Sequence, residues 1–288
     1  MSQVQSPYGA YAGFRVDPVE DAVSPGVVCI RFNQPDRLNA FSAAMKRDLM
    51  EALFRLSLAP EPRVLIFVGD GGVFSAGDDF RGYYDEDRWT EARSARIGER
   101  RTGGGGLYSR LGLLSQRLNA TVRDLDLLTI AAIEGPCMQS GLSLALCCDF
   151  RIAAETSKIG SATLRFGYQP DENGHYLLLQ HLGLAKTLEF LLRQKVVSGR
   201  EALELGLLHQ VATAGDVFAS ALALANELAE GPQVAMRLLK RAIYNAADLT
   251  FNQAGEDIAS KTAISDHHPD AVEGVAAFRD KRKPRFNQ

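Results

Sequence analysis

The run Val64-Leu-Ile-Phe-Val68 places the strongest constraint on this chain. It is short and apolar at every position, so as a strand it has no face to give to water. Strands covered on both faces belong to parallel sheets whose crossover connections lie above and below them. Three more segments read as strands: Gly26–Phe32, rich in β-branched residues, Leu127–Ile133 and Asp149–Ala154. Ser42 is placed to cap a helix over 43–57, with Met45, Leu49, Leu53 and Leu56 on one face. A buried helix is expected over Leu142–Cys148. Residues 158–175 are irregular and punctuated by Gly and Pro. Beyond them the pattern is helical, with candidates at 174–182, 184–193, 200–204, 216–229, 232–246, 250–264 and 269–279. Strands alternating with helices, then helices alone, predict an α/β core with a helical C-terminal extension.

Composition narrows the class further. Of 288 residues, 46% are hydrophobic and 23% charged, which excludes a disordered or collagen-like chain. The formal net charge of -3 asks for neither nucleic acid nor an anionic membrane. No apolar run approaches the roughly 18 residues of a membrane helix, and the first residues lack the basic start and apolar core of a signal peptide. Four cysteines, at 29, 137, 147 and 148, have neither zinc-ribbon nor disulfide-framework spacing. They read as buried free thiols, which fits a cytoplasmic protein. No metal constellation appears. Gly103–Gly106 follows no strand-like run and lacks the spacing of a dinucleotide fingerprint.

Two loops carry the chemistry. Phe74-Ser-Ala-Gly-Asp-Asp-Phe80 follows the buried strand, and Gly77 lets the chain turn so that the Asp78 backbone N–H points into a cleft. Gly135-Pro-Cys-Met-Gln-Ser-Gly-Leu142 links a strand to an apolar helix. The first N–H groups of a helix have no internal partner and sit at the positive end of its dipole. Two such donors from separate loops make an oxyanion hole, where one donor is typically worth about 3 kcal/mol in the transition state. Either loop alone also reads as an ordinary βα turn.

Taken in order, the motifs resemble the crotonase superfamily, the enoyl-CoA hydratase/isomerase family. Pro35-Asp-Arg-Leu-Asn-Ala40 resembles its first CoA-contacting segment, Phe74–Asp79 its first oxyanion loop and Ile133–Asp149 its second. Ala202–Leu207 and Glu273–Pro284 resemble its later markers. The resemblance runs from about 25 to 286 and leaves out an enlarged segment at 81–125. It implies a crotonase-like spiral of ββα turns with a helical C-terminal trimerisation region. The expected division is a lead-in at 1–24, an α/β core at 25–210 and a helical oligomerisation region at 211–288, assembled as a homotrimer or a dimer of trimers. It also implies an acyl-CoA thioester substrate of the kind met in fatty acid metabolism, with no cofactor beyond the coenzyme A of the substrate. The carbonyl would be held by the N–H groups of Asp78 and Ser140. CoA contacts would come from Arg37, Leu38, Ala40, Ala76, Phe278 and Lys281, the last two across a subunit boundary.

The chain departs from that pattern where hydratases carry their two glutamates. Ser143 and Thr163 occupy those positions, and neither hydroxyl is a base near neutral pH. Carboxylates stand nearby in Pro170-Asp-Glu-Asn-Gly-His175. Glu172 matches a working aspartate of dienoyl-CoA isomerases, and Asp171 matches that of aroyl-CoA dehalogenases. Beside a dry pocket either would have its pKa raised. Alternatively they cap the next helix. The expected chemistry is double-bond isomerisation or related C–C cleavage through a thioester enolate. The alternatives are a hydratase with an unusual base and a non-catalytic acyl-CoA-binding protein. Asp79 is expected to fix its loop, and His175 to be a core or surface residue unless it pairs with Glu172. Tyr83 and Tyr84 are candidates for the acyl pocket, and Arg96, Arg100 and Arg101 for a solvated face. The segment 81–125 as a whole reads as a lid or loop.

Overall fold

The computed structural model describes residues 11–19, 21–79, 108 and 111–288. Tyr83, Tyr84, Arg96, Arg100, Arg101 and the glycine run at 103–106 lie outside them. The main sheet has six strands: β1 (Phe14–Pro18), β2 (Val27–Phe32), β3 (Val64–Gly69), β4 (Leu128–Ile133), β6 (Phe150–Ala154) and β9 (Gln210–Ala212). They lie side by side in that order. β1 runs antiparallel to β2 and every later pair is parallel. A smaller sheet joins β5 (Pro136–Met138), β7 (Lys158–Gly160) and β8 (Val196–Ser198).

β3 is buried at all six positions, and its side chains alternate between two cores. Leu65 and Phe67 face one side, with Phe32, Leu49, Leu53 and Phe74. Val64, Ile66 and Val68 face the other, with Val27, Ile130 and Ile152. Each such side chain contributes roughly 1.5–3 kcal/mol by leaving water. The first side is covered by α1 (Ala43–Leu58), α2 (Gln116–Asp124) and α3 (Ser140–Cys147). Ser42 caps α1 by accepting the Met45 N–H at 3.1 Å. α4 (Gly174–Leu192) is bent at Gly183, whose φ of 71° and ψ of 171° explain why the sequence reads there as two helices. α5 (Gly199–Glu204) follows. α6 (Val217–Glu230) covers the second side through Val217, Ala221, Ala225 and Ala229. That four-residue spacing of small side chains lets the helix lie close to the sheet. α7 (Gln233–Ala246), α8 (Phe251–Asp266) and α9 (Pro269–Arg279) complete the C-terminal region.

Several short elements depart from the sequence reading. β1 lies within the stretch taken as an unpatterned lead-in, where Phe14 and Val16 are both buried against the core. Two inward apolar residues are too few to register as alternation. β5, β7, β8 and β9 have three residues each, below the length at which periodicity is visible. Within the enlarged segment, Leu111–Ser115 forms a π-helical turn that runs into α2. All four cysteines are buried free thiols. Burial pushes Cys29 and Cys147 up to about 12, so they are inert core residues. Among the described residues no helix is long and apolar enough to cross a membrane, and no group of His, Cys, Asp and Glu could hold a metal ion.

Candidate active site

The two glycine-bearing loops meet at the ends of β3 and β4. Ser75 N–H donates to the Pro136 carbonyl (3.0 Å) and Met138 N–H to the Ser75 carbonyl (2.9 Å), which stitches one loop to the other. The first loop also rests on the segment after β2. Ala76 N–H donates to the Leu38 carbonyl (2.9 Å), Phe41 N–H to the Gly77 carbonyl (2.7 Å) and Asp79 N–H to the Phe41 carbonyl (3.1 Å). The parallel bridge between Phe41 and Asp78 uses the residues on either side of Asp78, so the Asp78 N–H stays outside the ladder. Gly77 has φ of 98°, and a Cβ there would stand 2.5 Å from Gln139 Cβ. Only glycine lets the loops close to this distance.

In the second loop, Ser140 begins α3 and Gln139 is its N-cap residue. The Ser140 N–H therefore has no intrahelical acceptor. Gln139 has φ of 53° and ψ of -120°, a conformation that costs of order 1–3 kcal/mol. It is held by its N–H to the Gly160 carbonyl (3.1 Å). Its side-chain oxygen, oriented to satisfy both donors, accepts from Ala162 N–H (2.9 Å) and Thr163 N–H (3.0 Å).

Glu172 is brought to this junction from the segment before α4. α2 holds that segment: Asn119 donates to the Glu172 carbonyl (2.8 Å) and Gln116 to the Asp171 carbonyl (3.0 Å). The Glu172 carboxyl does not cap α4, whose N-cap is Asn173. It turns inward, is 6% exposed, and hydrogen-bonds the Ser140 hydroxyl. That hydroxyl also meets Asp78 Oδ1 at 2.5 Å. Asp78 Oδ1 in turn pairs with Lys46 Nζ at 2.7 Å, and Lys46 donates to Ser115 Oγ at 2.7 Å.

Burial raises Glu172 to about 7, helped by the Asp78 and Asp171 charges and opposed by Lys46 and the Ser140 hydrogen bond. Asp171 is also raised, by burial and by Asp78. Burial works to lower Lys46, but Asp78 and Glu172 outweigh it and hold the ammonium above its ordinary value. A cavity with room for about one water molecule is lined by Gln139, Ser143, Ser161, Glu172 and Gly174, among others. Ser143 lines it with a hydroxyl, and the Thr163 hydroxyl is tied to the Gln139 amide at 2.9 Å.

The structure thus brings Asp78, Ser140 and Glu172 together and sets Asp171 beside them. Ala76 belongs to the first loop and donates its N–H to the Leu38 carbonyl, and Arg37 Nη1 is 3.7 Å from Asp79 Oδ2. Leu38 is exposed and Ala40 buried. His175 is exposed, as the sequence reading expects of a surface residue. Phe278 is 87% exposed and Lys281 is exposed beyond the end of α9. Among the described residues, no hydrogen bond or ion pair joins either side chain to the two loops.

Sequence reasoning missed Lys46, the Ser140 hydroxyl, and Asn119. Lys46 lies between apolar Met45 and Leu49 on α1, a signal that was available. It also missed Asn39, whose side chain accepts from Gln34 N–H (2.9 Å) and donates to the Val73 carbonyl (2.6 Å), holding the strand-end turn.

A family model described as enoyl-CoA hydratase/isomerase matches residues 22–288. The human protein named enoyl-CoA hydratase domain-containing protein 2, mitochondrial, is 34% identical over 276 residues, covering 91% of this chain and 85% of that one. A protein of Arthrobacter sp named 4-chlorobenzoyl coenzyme A dehalogenase-2 is 27% identical over 259 residues, covering 89% and 88%. The crystal structure of an enoyl-CoA hydratase from Bacillus anthracis superposes with a TM-score of 0.82 at 26% identity, covering 96% of this chain and 99% of that one.

Proposed function

The chain belongs to the enoyl-CoA hydratase/isomerase family, and from that premise we propose that it forms a thioester enolate from an acyl-CoA substrate, with Glu172 as the base. The Asp78 and Ser140 backbone N–H groups receive the thioester oxygen. Both are free of the local backbone ladder, and one stands at a helix start. Glu172 takes a proton from the α- or γ-carbon. The electron pair moves onto the thioester oxygen, and return of the proton to the other carbon shifts the double bond. The Asp171 charge helps to hold the Glu172 carboxyl above the ordinary range. The observation that carries this reading is the buried Glu172 carboxyl, raised to about 7 and bonded to the very residue whose N–H would hold the oxyanion. A base works best when its pKa lies near the working pH.

A hydratase with Glu172 as an unusual base is the second reading. The water-sized cavity beside Glu172 and Ser143 favours it. The CoA moiety would run past Arg37, Leu38, Ala40 and Ala76. Phe278 and Lys281 would reach the CoA of a neighbouring subunit in a trimer, which agrees with the exposed Phe251, Val272, Val275 and Phe278 of the C-terminal helices.

The test is incubation with enoyl- and cyclic acyl-CoA thioesters in heavy water, read by mass spectrometry. Deuterium uptake without net addition of water, abolished by Glu172→Gln, is the expected result. Net addition of heavy water selects the hydratase reading. Exchange that survives Glu172→Gln removes Glu172 as the base. Binding of the esters without exchange or turnover overturns both readings in favour of a binding protein.

A further inference from the structure

Lys46 is a charged residue on the apolar side of α1, 4% exposed. A buried ammonium is costly by several kcal/mol unless it is paired and hydrogen-bonded. Here it touches Asp78 Oδ1 and Ser115 Oγ, both at 2.7 Å. The same Asp78 oxygen lies 2.5 Å from Ser140 Oγ, and Ser140 Oγ also meets Glu172 Oε1. A serine hydroxyl has one hydrogen to give. It cannot donate to two carboxylate oxygens at once, so one of the two carboxyls must bring a proton of its own. Asp78 Oδ1 already accepts a hydrogen from the Lys46 ammonium at 2.7 Å, and no such cation is in contact with Glu172 among the described residues. The extra proton therefore sits on Glu172. The row reads Lys46 ammonium, Asp78 carboxylate, Ser140 hydroxyl donating to Asp78, and Glu172 carboxyl donating to Ser140.

We propose that Lys46, Asp78 and the Ser140 hydroxyl form a positioning row that sets the protonation and orientation of Glu172, with Ser140 as a hydrogen-bond switch. This rests on the reading of Glu172 as the base. When Glu172 gives its resting proton to solvent water, the Ser140 hydrogen turns from Asp78 to the new carboxylate. No covalent bond of Ser140 breaks, and Lys46 keeps Asp78 compensated. The turned hydroxyl then fixes the carboxylate that takes the substrate proton. Among the described residues, Asp171, on the same segment, also acts on Glu172. α2 contributes neutral amides to the backbone there, and α3 contributes Ser143 to the cavity wall.

The test titrates Glu172 directly in the full-length protein. The probe is the side-chain carboxyl signal of 13C-labelled glutamate by NMR, assigned with Glu172→Gln. The pH profile of deuterium exchange on the thioester panel is measured alongside. Ser140→Ala keeps the backbone N–H and removes only the hydroxyl; its Glu172 midpoint is expected to rise by about one pH unit. Lys46→Met, a near-isosteric change, raises it as well. Asp78→Asn lowers it. A merely structural role would not move one midpoint in opposite directions. Midpoints unchanged in Ser140→Ala and Lys46→Met, or moved the same way by Lys46→Met and Asp78→Asn, overturn the row. Midpoints that move as expected without exchange on any thioester uphold the row and count against the enolate reading. Exchange that survives Glu172→Gln defeats the base assignment whatever the midpoints do, and with it the catalytic role of the row.

Discussion

Replacing Glu172 by glutamine removes a proton acceptor and a buried charge in one step, and the two losses have opposite consequences. In the unfolded chain the carboxyl titrates near 4.5, in the folded one near 7. Between those values the folded state holds a proton that the unfolded state has released. Stability therefore falls as pH rises through this window and levels off above about 7. A tenfold change in a protonation equilibrium is worth about 1.4 kcal/mol, so the ionised, buried carboxylate costs the fold about 3 kcal/mol at pH 8. Glutamine carries no charge and keeps an amide to bond Ser140. Glu172→Gln is therefore expected to be more stable than the parent by up to about 3 kcal/mol at pH 8 and nearly equal to it at pH 4.5. Deuterium exchange on the substrate thioester should meanwhile fall by about 10²- to 10⁴-fold, the usual contribution of a general base. Urea unfolding at the two pH values and exchange followed by mass spectrometry measure both effects. A stability difference that is the same at both pH values would refute the argument that burial raises this carboxyl. Exchange at the parental rate would refute its catalytic role.

Other changes probe how the site is held. Gly77→Ala places a side chain at φ of 98° and against Gln139; exchange should drop at least about tenfold, with the loop strain costing of order 1–3 kcal/mol in urea unfolding. Asn119→Ala leaves the Glu172 carbonyl without its 2.8 Å donor, so stability should fall by about 1–3 kcal/mol, and kcat should fall with it as the base loses its seat. Ser42→Ala removes the α1 cap; about 1 kcal/mol of stability should be lost in urea unfolding.

The elements legible in the sequence were those decided by their own residues. β3 announced itself because every position is apolar, and α1 because its cap and apolar stripe agree. The two loops were legible because glycine and the strand-to-helix transition are local features. β1 and the three-residue strands were not, since each is stabilised by neighbours distant in sequence. The same division runs through the site. The turn at Gly77 singles out the Asp78 N–H locally, whereas Ser140, Asp171 and Glu172 are singled out by the resemblance of their motifs to the family. Whether Glu172 caps a helix or faces the loops is open in the sequence; the grip of α2 on its backbone decides it. Phe278 and Lys281 stand exposed on a single chain, so nothing local decides their use.

By itself, then, the sequence determined the family, the parallel core, and the residue types available to the chemistry, because patterning and turn chemistry act over a few neighbouring positions. The tertiary structure decided which of those residues meet. Ser140 and Glu172 are 32 positions apart, and Lys46 and Ser115 are 69 apart. Such contacts depend on the packing of α1, α2 and α3 over one face of the sheet. Burial at that junction, a property of the assembled layers and of no single segment, turns an ordinary glutamate into a group that titrates near neutrality.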